Sequence, residues 1–405
     1  MMLLRLAWRN IWRNRRRSLI ILTSVIVGLM AIIFVEGVVR GFMRQALQNQ
    51  LGAHTAHIQI HRAGYHDNPD LARLMDRPDE VDSALADERR LAAASRRVLT
   101  LGLLSSARNS SGVMFVGIEP ERERYVTTIV SSIVAGRSIG MGPREILVSE
   151  RMADALDVKL GDKVVAMSST RDGKVGSELF RIVGLYRTPI SEFDRYHVYI
   201  PYATAQSLVH AEGLSAEFAA IILPEADVTQ VRDSLRTVLG SSYEVLSYED
   251  VIPTLVMQVE LTEKSMLIYY VIIGIAMIFG IINTMMMSVY ERINEFGVLK
   301  ALGMKDLALF RLVLTEAALL GTVGTTIGIL LGSGVTMYTE YAGLNFAWFA
   351  EGLSSWGSGA IVYPEFKLSS VLVGSLLIIV MCILAAVHPA FKAVRLQPVE
   401  AIRHV

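Results

Sequence analysis

One cysteine occurs in 405 residues, Cys382, and it lies inside an apolar run. A disulfide framework, a C-x-x-C redox motif and a thiolate metal site are therefore excluded. Charge is also scarce: Asp, Glu, Lys and Arg make up 19% of the chain, basic and acidic residues number 39 each, and 52% of residues are hydrophobic. A formal net charge of zero gives no electrostatic reason to expect nucleic acid as a partner. The chain lacks G-x-S-x-G and H-E-x-x-H, and no nucleophile stands near a base in sequence, so a membrane hydrolase is not indicated. It also lacks the phosphate loop G-x-x-x-x-G-K-[ST], so nothing in it can cradle nucleotide phosphates.

The missing charges come from a few long stretches. Ser265 to Tyr290 contains no Asp, Glu, Lys or Arg, and its length as a helix, about 39 Å, exceeds a hydrocarbon core of roughly 30 Å. Ala317 to Thr339 and Leu368 to Phe391 are equally free of charge. Ser18 to Val35 is shorter, with Glu36 and Arg40 one turn apart at its far end, able to pair or snorkel. Four transmembrane helices are expected.

Basic residues near span ends set orientation. Arg5, Arg9, Arg13, Arg15, Arg16 and Arg17 precede the first span. Arg292, Lys300, Lys305 and Arg311 follow the second, and Lys392, Arg395 and Arg403 follow the fourth. Tyr338 to Glu365 carries Glu340, Glu351 and Glu365 but no Lys or Arg. Both termini are therefore expected in the cytoplasm. A secretory signal peptide is the competing reading of residues 1–35. The stretch is long and has no clear A-x-A exit, and cleavage would leave an odd number of spans, so an uncleaved anchor fits better.

The expected organisation follows. Residues 1–17 form a cytoplasmic amphipathic interfacial helix, with Leu3, Leu4, Ala7, Trp8, Ile11 and Trp12 on one face and Arg5, Arg9, Arg13 and Arg16 on the other, suited to the lipid headgroups. A simple topology signal is the alternative. The spans are 18–42, 265–290, 307–339 and 368–391. Between them lie an extracytoplasmic domain (43–264), a cytoplasmic coupling segment (291–306) and an extracytoplasmic loop (340–367), with a cytoplasmic tail at 392–405.

In the domain, alternation at His57–His61, Lys163–Met167 and Leu179–Val183 reads as strands, Glu150–Leu156 and Asp227–Leu239 as helices, and Gly161-Asp162 as a turn; Pro201 starts a short helix through Gln206 to Val209. An α+β fold results. Phe42–Leu51 and Glu249–Lys264 read as stalks continuous with the first and second spans.

His54, His57, His61 and His66, followed by Asp67 and Asp70, raise the question of a transition-metal site. Alternation of His57 and His61 with Ile58 and Ile60 reads instead as a solvated strand face, and no metal is expected. Gly324, Gly328 and Gly332 give G-x-x-x-G-x-x-x-G in the third span, a helix-packing seam, with intramolecular packing preferred over a dimer interface. Glu316 reads as a headgroup-level charge aided by Arg311, in preference to a proton site.

Two segments carry a family resemblance. Glu291-Arg292-Ile293-Asn294-Glu295-Phe296-Gly297-Val298-Leu299-Lys300-Ala301-Leu302-Gly303 follows the second span, and Pro389-Ala390-Phe391-Lys392-Ala393 with Pro398-Val399-Glu400-Ala401-Ile402-Arg403 closes the chain. Together they resemble the FtsX-like permease signature shared by MacB-type efflux proteins, the lipoprotein-releasing LolC and LolE subunits and the division protein FtsX. Gly136-Arg137, Leu147–Glu150, Leu160–Val164 and Val183–Tyr186 look like the MacB-type periplasmic core, though MacB itself carries a fused ATPase.

The resemblance implies the permease-type subunit of an ABC transporter. ATP and Mg would be bound by a separate cytoplasmic ABC ATPase dimer, with no cofactor in this chain. Glu291, Arg292, Glu295, Gly297, Lys300 and Gly303 are the positions carried over to ATPase coupling; for Arg292 and Lys300 a purely topological role is the alternative. Further expected partners are a second permease copy or paralogue, the lipid membrane, and a periplasmic adaptor or lipoprotein. Lipoprotein or other amphiphile export leads; an FtsX-like regulator of an outside enzyme and a tripartite efflux permease are the alternatives.

Overall fold

The computed structural model describes residues 2–13, 15–140 and 142–395. Gln397 to Arg403, which complete the C-terminal part of the signature, lie outside the described residues, as do the side chains of Leu3 and Leu4. The described chain divides into two compact units. One comprises residues 1–43, 259–344 and 362–405, the other 44–258 and 345–361.

The first unit is helical. Among the described residues four helices are long and apolar enough to cross a membrane: Arg15–Gln50, Pro253–Glu291, Asp306–Ala342 and Leu368–Val394. They pack around Leu29, Met277, Leu320 and Ile378, all buried. Small residues set their spacing. A Cβ on Gly324 would stand 2.8 Å from Val25 Cγ1, and on Gly328 or Gly332 it would come within 3.1 Å of Leu29 or Met30. The glycine seam of the third span thus receives the first span of the same chain.

Charge inside this unit is paired. Arg40 Nη2 donates to Glu36 Oε1 at 2.9 Å, and Arg40 also bridges to Glu263. The Tyr270 hydroxyl donates to the other Glu36 oxygen. The pair expected at the end of the first span is therefore extended to the second, as the high cost of a lone charge in hydrocarbon requires.

The second unit is an α/β domain built on ten strands: β1 (Ile58–Arg62), β2 (Leu91–Ser105), β3 (Ser110–Ile118), β4 (Ile133–Gly136), β5 (Glu145–Ser149), β6 (Lys163–Ser169), β7 (Val175–Tyr186), β8 (His197–Pro201), β9 (Glu217–Ile222) and β10 (Tyr243–Ser247). The order is β10-β1-β9-β2-β3-β8-β5-β7-β4, with β6 pairing both β2 and β7. The pairings β2-β3-β8-β5-β7-β6-β2 close a ring, which removes exposed edges from those six strands.

Fifteen-residue β2 serves two neighbourhoods. Its first half pairs with β9 and its second with β3 and β6. At the crossover, a Cβ on Gly102 would stand 2.2 Å from the Met167 carbonyl oxygen, so only glycine lets β6 approach.

Local chemistry explains the element ends. Ser149 Oγ accepts from Met152 N–H and caps Glu150–Leu156; Asp227 accepts from Gln230 N–H and caps Val228–Leu239. Gly161 turns into β6 at φ +92°. Pro201 precedes the helix Tyr202–Leu208.

Three expectations change. The stalk Glu249–Lys264 is not one helix: Tyr248–Val251 is separate, and a new helix starts at Pro253, because proline cannot donate within a continuous helix. Residues 345–361 are more than a loop, since they form part of the α/β unit. Ser191 Oγ bonds Ser354 Oγ at 2.6 Å, and Asn49 Nδ2 donates to the Gly357 carbonyl at 2.9 Å. Finally, the polar face of β1 is not an open surface: Gln59 and His61 are 4% and 3% exposed, and His61 stacks on Tyr65.

Candidate coupling site

The helix ending at Glu291 is broken by Arg292 (φ −105°, ψ 15°), and a short helix, Ile293–Ala301, follows. Gly303, at φ +92°, turns the chain toward the helix beginning at Asp306. Arg292 is buried. Its Nη1 donates to Glu316 Oε2 at 2.8 Å and Oε1 at 3.1 Å, its Nε donates to Glu295 at 3.2 Å, and its guanidinium lies 4.8 Å from the Phe296 ring centroid. Asn10 Nδ2 donates to Glu316 Oε1 at 2.7 Å.

Glu316 carries a different partner from the one expected. It is buried, and its partner is Arg292 in place of the expected Arg311, which is exposed five residues back on the same helix.

The segment before the first span joins the same cluster. Arg13 bonds Glu295 and Arg17 bonds Glu291. Burial would raise the Glu295 carboxyl, but hydrogen bonds from Arg13 and Arg292 outweigh it and hold it below the ordinary glutamate value. Lys300 Nζ lies 3.0 Å from Asp306 and donates to the Val394 carbonyl at 2.8 Å. Gly297 is buried, whereas Val298 is 49% and Leu302 80% exposed.

The N-terminal helix Met2–Arg13 divides its apolar face. Ala7 and Ile11 are buried in the helical unit, while Trp8 and Trp12 are about half exposed and meet edge to face at 5.9 Å. Arg5 and Arg9 are exposed. The structure thus brings Arg13, Glu291, Arg292 and Glu295 together and leaves Trp8, Trp12, Arg5 and Arg9 free of that cluster.

Sequence reasoning missed Asn10 and Glu316 as members. An acid in a spanning helix was the available signal, but its partner lies 24 positions away, beyond the short helix and the turn at Gly303.

A second buried ionic cluster, unanticipated from sequence, lies in the α/β unit. Arg97, fully buried on β2, donates through Nη1 to Glu217 Oε1 at 2.6 Å and through Nη2 to Glu123 Oε1 at 2.7 Å. Burial opposes its charge, yet the two carboxylates hold the guanidinium above the ordinary arginine value. Its Nη1 also donates to the His54 carbonyl at 2.7 Å.

This architecture, four spans with an α/β domain inserted in sequence between the first and second, defines a class of membrane permease. Residues 18–238 match the MacB-like periplasmic core domain family, over half of the chain, and residues 267–398 match the FtsX-like permease C-terminal family. The chain belongs to the FtsX-like, MacB-type permease family, and is an ABC transporter permease of the LolC/MacB type.

It is similar to the lipoprotein-releasing system transmembrane protein LolC of Xylella fastidiosa, 24% identical over 97% of this chain and 95% of that protein. LolC of Neisseria meningitidis is 26% identical over 96% and 94%. The macrolide export ATP-binding/permease protein MacB 2 of Yersinia pestis is 23% identical over 96% of this chain, which spans 56% of that protein's length. Among solved structures, the periplasmic region of MacB from Actinobacillus actinomycetemcomitans matches 52% of this chain and 96% of its own, at 14% identity and a TM-score of 0.38. The four apolar helices and these permease relatives imply a bacterial inner-membrane protein.

Proposed function

We propose that this chain is a transport subunit that converts ATP-driven motion at its cytoplasmic end into movement of its α/β domain in the periplasm, for the export or trafficking of lipoproteins or other amphiphiles. Both termini face the cytoplasm in this reading. A separate ABC ATPase dimer docks on Ile293–Ala301, binds the ATP and Mg, and works on this chain together with a second permease copy or paralogue. Glu291, Arg292, Glu295, Gly297, Lys300 and Gly303 form the coupling element, and Trp8, Trp12, Arg5 and Arg9 hold the N-terminal helix at the lipid headgroups.

One observation carries the reading. The short helix and the residue that follows it expose apolar side chains at Val298 and Leu302, while Arg292 inserts inward onto Glu316 of the third span. Exposed apolar side chains favour a protein partner. The buried, charge-assisted contact beneath them ties a push on the helix to the span, because breaking that contact is costly. The likeness to LolC, a lipoprotein-releasing system protein by name, favours lipoproteins as the cargo.

Exchanging Val298 and Leu302 for glutamate tests the docking. The expected outcome is loss of co-purification with the ABC ATPase while the permease still inserts and folds. Retained co-purification would end the assignment.

A further inference from the structure

The α/β unit contains a half-open cleft of about 530 Å³, within the range of small-molecule sites. One wall is apolar, made by Leu71 from the segment after β1, Leu99 and Leu101 on β2, and Met114 on β3; Thr170 and Arg171 line the cleft as well. Its floor is polar: Gln59 and His61 on β1 and Glu217 on β9 are each at least 96% buried.

The floor is unevenly satisfied. Glu123 takes two bonds from Arg97 and one from Thr127 Oγ1. Glu217 has Arg97 on Oε1 only; its Oε2 faces His61 Nε2 at 3.8 Å, beyond hydrogen-bond range. Arg97 supplies one positive charge against two carboxylates, so the ionised cluster has one negative charge in excess, and that charge faces the cleft.

His61 does not offset it at neutral pH. Burial holds the imidazole below its ordinary range against the pull of Glu217, the Ala216 carbonyl and Glu244, with His66 adding to the lowering. At the rim, Asp70 caps Ala72 N–H, and Arg171 is 3.7 Å from Asp76.

We infer that this cleft is a binding site for a cationic amphiphile, whose ammonium group donates to Glu217 Oε2 while its apolar body lies along Leu71, Leu99, Leu101 and Met114. Glu217 Oε2 takes no hydrogen bond from the protein and opens onto the cleft, so it is free to accept one from a ligand. An ammonium satisfies it and completes the charge balance, and the apolar wall rewards an apolar body with area removed from water. The inference deepens the reading of the chain as an amphiphile transporter by naming a cargo chemistry. Binding itself needs no ATPase, so coupling and cleft can fail independently.

The test uses the full chain in lipid nanodiscs without ATPase, titrated calorimetrically with octylammonium chloride and corrected with empty nanodiscs. Octanol and octanoate serve as the neutral and anionic counterparts. Octylammonium is expected to bind saturably, one per chain, with octanol weaker and octanoate absent. Glu217→Gln should weaken octylammonium by about tenfold or more.

Leu101→Lys, at an exposed wall position, leaves the buried cluster intact and places a repelling charge in the cleft, with a loss of similar size expected. It decides the matter if Glu217→Gln fails to fold. Absence of saturable octylammonium binding, equal binding of octanoate, or unchanged affinity in Leu101→Lys would each overturn the inference.

Discussion

The two units bury ionic groups in opposite states of balance. In the helical unit two arginines meet two carboxylates: Arg292 donates to the buried Glu316 and to Glu295, Arg13 also bonds Glu295, and Asn10 completes the partners of Glu316. In the α/β unit, one arginine, Arg97, meets two carboxylates, and Glu217 keeps an oxygen without a donor. A balanced cluster ties elements together and asks for nothing further. An unbalanced one has affinity left over. The first arrangement suits a mechanical joint, the second a binding surface, although both clusters use the same residue types and Arg292, Glu316, Arg97 and Glu217 are all buried.

The largest effect should come from breaking the unbalanced cluster. Arg97→Ala would leave the buried carboxylates of Glu123 and Glu217 without their shared guanidinium, at a cost of about 3–5 kcal/mol. Hydrogen exchange of the β2 and β9 amides in the full chain should show protection lost by that amount. Little change would mean that the two carboxylates do not depend on Arg97.

Arg292→Ala removes one arginine of the balanced cluster, and because Asn10 stays on Glu316 the expected loss is smaller, about 2–3 kcal/mol in unfolding of the detergent-solubilised chain. Adding Glu316→Gln should recover part of it. Strict additivity in this double-mutant cycle would show that the two side chains do not act as a pair.

Packing of the spans can be probed without charge. Gly328→Leu drives a side chain into Leu29, whose Cβ lies only 3.1 Å from the position a Cβ would take, and should cost about 1–3 kcal/mol. The same change at Gly334, where a Cβ would meet nothing within 4 Å, is the control.

Asp194 sharpens the comparison within the α/β unit. Burial raises its carboxyl to about 6, against hydrogen bonds from Thr188 that lower it. The native state therefore binds a proton more tightly than the unfolded chain, so stability falls as pH rises from about 4 to 6 and then levels, by about 1–2 kcal/mol. Asp194→Asn should flatten that part of the pH–stability curve.

The smallest effect belongs to the exposed Arg13–Glu295 pair. Arg13→Ala should change thermal stability by under about 1 kcal/mol.

Hydrophobic runs, basic flanks and turn chemistry made the four spans, the inserted domain, and the helices at Glu150 and Asp227 legible without coordinates. These are signals of near neighbours along the chain, read from period, composition and capping residues. The signature after the second span was legible as a pattern, but the inward role of Arg292 was not, because sequence spacing favoured Arg311 as the partner of Glu316 while helix geometry points it away. β1 misled for a related reason. Alternating His and Ile reads as one wet face, but Tyr65, outside the alternating run, stacks on His61 and helps cover it.

The sequence by itself determined which segments are long and apolar enough to cross a membrane, where the α/β domain is inserted and which family's motif the chain carries, since each depends on residues within a helical turn or a short window. Tertiary structure alone decided which charges meet. Arg97 and Glu217 are 120 positions apart and Asn10 and Glu316 are 306 apart; only strand register and helix packing bring them within reach. A buried charge takes its meaning from whatever lies within a few ångströms, and chain order does not record that distance.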